Sequence, residues 1–106
     1  MKHFNLEDLK TVVNKRGVNM RSVFSHDHAT VKNLLLKPGD AIPPHQVPVD
    51  VFFYVIKGEG FITIDDEETP VRANDIVMCP PNTLISVRAG ENSRLEFLNV
   101  KTPGIE

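Results

Sequence analysis

Six consecutive residues, Val51 to Ile56 (VFFYVI), constrain this chain more than any other feature. All are β-branched or aromatic, which favours an extended strand over a helix. Side chains on a strand alternate between two faces, so a strand apolar at every position needs cover on both sides. The punctuation around it is equally specific. Pro38-Gly39-Asp40 reads as a turn before it, and Gly58-Glu59-Gly60 reads as a bend after it.

The rest of the chain repeats this pattern of short strands and breaks. Met20–Ser25, Thr30–Leu36, Val49–Ile56, Phe61–Ile64, Thr69–Arg72, Ile76–Cys79, Leu84–Arg88 and Arg94–Val100 read as strands. The acidic run Asp65-Asp66-Glu67-Glu68 lacks the ligand spacing of a calcium loop and reads as a solvated hairpin turn. Eight prolines and six glycines fit many short strands better than a few long helices. The exception is the N-terminus. Asn5 suits an N-cap, Leu6, Leu9 and Val13 share one helical face, Lys15 and Arg16 suit the last turn, and Gly17 suits a terminator. The expected organisation is a short N-terminal helix in residues 1–17 packed on an all-β sandwich or barrel, with a loose tail over 103–106.

At 106 residues the chain supports one core. A net charge of -2 with interspersed signs argues against nucleic acid as a partner. The longest apolar run is far too short to span a membrane. Acids stand near the N-terminus where a signal peptide needs an apolar stretch, so a cytoplasmic location is expected. The single cysteine, Cys79, excludes an internal disulfide. With Met78 and Pro80 as neighbours, it reads as a buried, inert thiol.

With these elements in place, the chain resembles a small single-domain cupin, RmlC-like, over residues 18–102. The resemblance implies an all-β fold, the double-stranded β-helix or jelly-roll barrel. The first cupin motif, G-x5-H-x-H-x3,4-E-x6-G, aligns with Gly39, His45, Val47, Val51 and Gly58. The second, G-x5-P-x-G-x2-H-x3-N, aligns Asn74 and Asn82 with its glycines, Pro80 with its proline and Ile85 with its histidine. Asn tolerates the left-handed backbone that these turns require, and Asp66 could serve the intervening hairpin in the same way. The turn skeleton is therefore kept, while three of the four metal-ligand positions carry hydrocarbon side chains.

Cupins that bind a divalent metal use several N and O donors converging on one point. Val47, Val51 and Ile85 have no donor to offer. Alternation puts residues 45, 47, 51 and 53 on one face, giving a barrel interior of His45, Val47, Val51, Phe53 and Ile85. The expectation is a metal-free module that binds or senses a small apolar ligand beside His45, with no cofactor. His45 reads either as a hydrogen-bonded remnant or as a neutral anchor or general base in the pocket. A second reading is a metal-dependent oxygenase or isomerase, its divalent ion recruited by His45, His26 and His28. A third is a structural or regulatory homodimer with a filled barrel. The Phe52, Tyr54 and Ile56 face needs cover, and in small cupins a second subunit often provides it, so a homodimer is expected.

Overall fold

A computed structural model describes residues 2–105. Its nine strands, among the described residues, are β1 (Val12–Val13), β2 (Asn19–His26), β3 (Ala29–Leu36), β4 (Ala41–His45), β5 (Asp50–Ile64), β6 (Glu67–Arg72), β7 (Ile76–Cys79), β8 (Ile85–Ala89) and β9 (Leu95–Thr102). They pair antiparallel in the order β1-β2-β3-β9-β5-β8-β4, with β6 and β7 also on β5. This is the curled sheet of a jelly-roll barrel. No helix is long and apolar enough to cross a membrane among the described residues.

Val49–Ile56 and Phe61–Ile64 are not separate strands. Apart from Val49, both belong to β5, which continues through Gly58-Glu59-Gly60. The expected bend is a β-bulge. Pairing with β9 runs from Asp50↔Thr102 to Val55↔Phe97, then skips to Lys57↔Glu96. One extra residue inverts the alternation. Before it, odd positions are buried (Val51, Phe53, Val55), and after it even ones are (Gly60, Ile62). Gly58 follows two residues after the extra residue, Ile56, and needs to be glycine. Its φ is +85°, and a Cβ there would lie 1.7 Å from the Arg94 carbonyl oxygen.

The interior is a single apolar cluster. Val51, Phe53 and Val55 of β5, Leu34 and Leu36 of β3, Leu95 and Phe97 of β9, and Ile85 and Val87 of β8 all contribute. Phe53 and Phe97 meet edge to face with ring centroids 5.4 Å apart, an arrangement that suits the ring quadrupoles. The thiol of Cys79 is buried in this cluster, and desolvation pushes its pKa up to about 11. It is protonated and inert at neutral pH.

The turns use the residues their backbones demand. In Lys37–Asp40 the Asp40 N–H donates to the Lys37 carbonyl, 2.9 Å, and the Asp40 side chain accepts from the Lys37 N–H. Pro38 and Gly39 (φ +80°) occupy the two central positions, as a type II turn requires. Arg72–Asp75 repeats both hydrogen bonds, with Asn74 (φ +73°) in the glycine role. Asn82 (φ +63°) serves likewise. In the β5–β6 hairpin the left-handed residue is Asp65 (φ +52°), one position before the expected Asp66. Asp65 also holds Leu84 through its amide and its carboxylate.

The N-terminal helix does not form. Asn5 caps only a 3-10 turn, Leu6–Asp8, which closes when the Leu9 N–H reaches the Leu6 carbonyl. Thr11, Val12 and Val13 then lie in sequence, three β-branched residues that lose rotamer freedom in a helix. The edge of β2 offers them ladder hydrogen bonds instead, with Val12↔Met20 and Val13↔Asn19 as partners. At the other end, the Gly104 N–H donates to the Asp27 carbonyl at 3.1 Å, tying the chain after β9 back to the β2–β3 turn.

The glycine geometry separates two costs. Gly58→Ala meets both a left-handed backbone and a backbone oxygen, so it should destabilise the protein by about 3 kcal/mol or more. Gly39→Ala meets the backbone cost alone, with nothing within 4 Å of the added Cβ, and should cost about 1 kcal/mol. Urea denaturation of the two variants measures the difference.

Candidate functional site

The β1–β2 hairpin covers one mouth of the barrel. Asn14 shapes its loop. The Asn14 side-chain oxygen accepts from the amides of Arg16, 2.9 Å, and Val18, 3.2 Å, and the Asn14 carbonyl accepts from Gly17. Gly17 takes φ +82° to complete the turn. This loop carries Lys15 and Arg16 to the rim of a cavity of about 390 Å³. Met20, Leu34, Ile42, Phe53 and Val87 form apolar wall, and His45, Asn99, Lys32 and Lys101 add polar groups.

Of the expected pocket residues, His45 and Phe53 line this cavity. Val47, Val51 and Ile85 do not. Val51 and Ile85 are buried in the packed cluster, with Val47 packed against it. Ile85 is the direct cross-strand partner of His45, so the structure does bring a first-motif and a second-motif position together. The lost ligand positions have become core, and the open volume lies to one side of them.

His45 is half-buried, and its Nδ1 lies 3.1 Å from the Pro43 carbonyl oxygen. That contact orients the ring with Nδ1 as the donor. Burial holds the His45 pKa below its ordinary value of 6.5. The Pro43 hydrogen bond opposes this, and the Arg16 and Lys101 charges add to it. Burial likewise lowers the pKa of Lys101, helped by the charges of Lys32, Arg16 and Lys15.

His26 and His28 do not join His45. They sit exposed at the β2–β3 turn and do not line the cavity. The His26 ring stacks on Phe24, its Nδ1 accepts from the His28 amide at 3.1 Å, and the His28 ring packs edge-on against it. Among the described residues, no three His, Cys, Asp or Glu side chains are grouped to hold a metal ion. The donor set at the family's metal position is His45 with Val47, Val51 and Ile85. One imidazole among hydrocarbons does not fit a divalent ion.

Lys32, Asn99 and Lys101 do not stand out in the sequence, although alternation contains the signal. On β9 the inward row reads Leu95, Phe97, Asn99, Lys101. On β3 the facing row includes Leu36, Leu34 and Lys32, with pairs Leu36↔Leu95, Leu34↔Phe97 and Lys32↔Asn99. Each row is apolar deep in the barrel and turns polar toward the cavity. In sequence, Lys15 and Arg16 suit the last turn of a helix, and nothing local marks their place at this rim.

The comparisons agree with this architecture. A family model of the cupin domain matches residues 33–101, and the chain belongs to the cupin domain family. An uncharacterised protein of Methanocaldococcus jannaschii is 30% identical over 97 residues, which span 91% of this chain and 78% of that protein. The polyketide cyclase RemF of Streptomyces resistomycificus superposes with a TM-score of 0.87 at 18% identity, covering 96% of this chain and 79% of that one. A predicted oxalate decarboxylase of Thermotoga maritima gives 0.86 at 23% identity, covering 96% and 99%. An RmlC-like cupin of Shewanella frigidimarina gives 0.87 at 16% identity, covering 100% and 95%. At these identities the three structures establish the fold alone.

The lowered His45 pKa has a definite sign in stability. As pH falls below 6.5, the unfolded chain takes up this proton before the native one does. The stability tied to neutral His45 is thus present above pH 6.5 and is lost as pH falls through the native pKa. Arg16 and Lys101 are the charges that face it. His45→Asn should flatten the decline in urea midpoint between about pH 7.5 and 5 relative to the parent protein. An unchanged slope would show that His45 does not titrate in this way.

Proposed function

We propose that this cupin is a small-molecule binding or sensing module that works without a resident metal, with its ligand in the cavity beside His45. The observation that carries this reading is the cavity itself. At about 390 Å³ it lies within the usual range for small-molecule sites. Its wall of Met20, Leu34, Ile42, Phe53 and Val87 combines apolar area with a few polar groups, the usual composition of such a site. The volume argues against a barrel that is simply filled. The donor set argues against a metal-dependent oxygenase or isomerase built on His45, His26 and His28. In the binding reading, His45 is a neutral anchor whose Nε2 is free to accept from a ligand when Nδ1 donates to Pro43.

Fragment screening by two-dimensional amide NMR tests the proposal. Bound fragments should shift Met20, Leu34, Phe53 and Asn99 together. Met20→Trp, which places an indole in the cavity, should abolish the shifts at Leu34, Phe53 and Asn99 without unfolding the protein. Fragments that bind elsewhere, or not at all, would overturn the reading.

We infer that the protein works as a homodimer. The outer face of β5 and β7 pairs Phe52 with Met78 and Tyr54 with Ile76 across the strands. Ile76 is 62% and Met78 79% exposed, an apolar ladder on the surface. A second copy laying the same ladder over it would satisfy a two-fold interface. Light scattering should give twice the 11.9 kDa chain mass. Met78→Glu should return that value toward the monomer.

A further inference from the structure

We propose that the ligand of this cavity is an amphipathic anion, with a carboxylate or phosphate head held by Lys101, Lys32 and Arg16 and a short apolar body against Leu34, Phe53 and Val87. This rests on the binding reading above and specifies its chemistry.

The charge lining the cavity is of one sign. Lys15, Arg16, Lys32 and Lys101 all line the cavity, and no Asp or Glu does. Among the described residues the single salt bridge is Arg88–Glu68, elsewhere on the surface, so none of these four cations is ion-paired there. The chain has 14 acids to 12 bases, so four unpaired cations at one cavity are a local arrangement, not a reflection of overall composition. They come from three elements: the β1–β2 loop, β3 and β9. Their convergence is produced by the fold.

Burial adds to this. Lys32 and Lys101 are partly buried and stand on the inward rows of β3 and β9. Lys32 is paired directly with Asn99, and Lys101 lies two residues further along the same row, so Lys101 is a diagonal neighbour of Lys32. Like charges held close, with part of their hydration removed, destabilise the empty protein. An anion between them relieves that repulsion and accepts charge-assisted hydrogen bonds. Asn99 supplies a further polar handle. Its Oδ1 is buried without a hydrogen-bond partner among the described residues. Asn99 lines the cavity, and its amide N–H is a donor from which a ligand oxygen can accept. The apolar wall lies next to this head site, on the deeper parts of the same rows. A simple inorganic anion would leave that wall unused.

Isothermal titration with six-carbon probes tests the proposal: hexanoate, hexyl phosphate, 1-hexanol and hexylammonium, with acetate and inorganic phosphate as headgroups without a body. Hexanoate or hexyl phosphate should bind at least tenfold more tightly than 1-hexanol, acetate or inorganic phosphate, and hexylammonium should not bind. The preference between the two anionic probes identifies the head. Lys101→Met should remove the advantage over 1-hexanol, and Lys101→Arg should keep it. Lys101→Met should also keep or raise the melting temperature at neutral pH, since the buried charge it removes is disfavoured in the native state; this separates lost binding from lost folding. If 1-hexanol binds as tightly as hexanoate, the anion proposal is overturned and the binding reading stands. If anions bind but Lys101→Met leaves their affinity unchanged, the proposed head site is wrong. If no probe binds while the parent protein is folded, this proposal is overturned; the fragment screen then decides the broader reading separately.

Discussion

The close approach of Gly58 to the Arg94 carbonyl is the constraint on which the barrel depends. β5 is the longest strand, and it pairs with β9 and β7 along its first half and with β8 and β6 along its second. A strand serving both halves of a curled sheet must change which side chains face inward partway along. The bulge does this by inserting one residue, and only a residue without a Cβ can lie against Arg94 at φ +85°. Val51, Phe53 and Val55 before the bulge and Ile62 after it therefore all reach one core.

The packing of that core also explains where the open space lies. At the family's metal position, valines and an isoleucine replace the ligands, and hydrocarbon that no longer coordinates anything packs. Ile85 opposite His45 and Val51 on β5 complete a tight core. The cavity survives beside it because the strand rows that enclose it end in Asn99, Lys101 and Lys32, which cannot be packed without partners. The volume is bounded below by apolar side chains and above by the Asn14–Val18 turn. His45 stands at the junction, with one ring nitrogen held by its own strand.

The electrostatic character of the mouth changes the functional picture drawn from the residues alone. An interior of His, Val, Val, Phe and Ile suggests apolar cargo. Under the proposed binding function, four cations around the opening favour a ligand with an anionic end. Both descriptions hold for different parts of one site, because the inward rows change from hydrocarbon to charge along their length. Cupin architecture does not select a chemistry by itself; the side chains at the barrel mouth do.

Several features are local and were therefore legible in the chain. Pro38-Gly39-Asp40, Asn74 and Asn82 specify turns through their own φ preferences, and Ile76–Cys79 specifies its strand by composition. The motif spacing identified the cupin fold and showed that metal ligands were missing. What the chain could not specify was set by pairing across distance. Residues 4–17 carry helical signals, but Thr11-Val12-Val13 meet an open sheet edge that no local pattern reveals. The close approach at Gly58, just past the bulge, involves Arg94, 36 positions away. Most of the candidate site belongs to this second class. Lys15, Lys32 and Lys101 are ordinary surface-type lysines in sequence. They form one cationic rim only because three separate backbone segments close around the same opening.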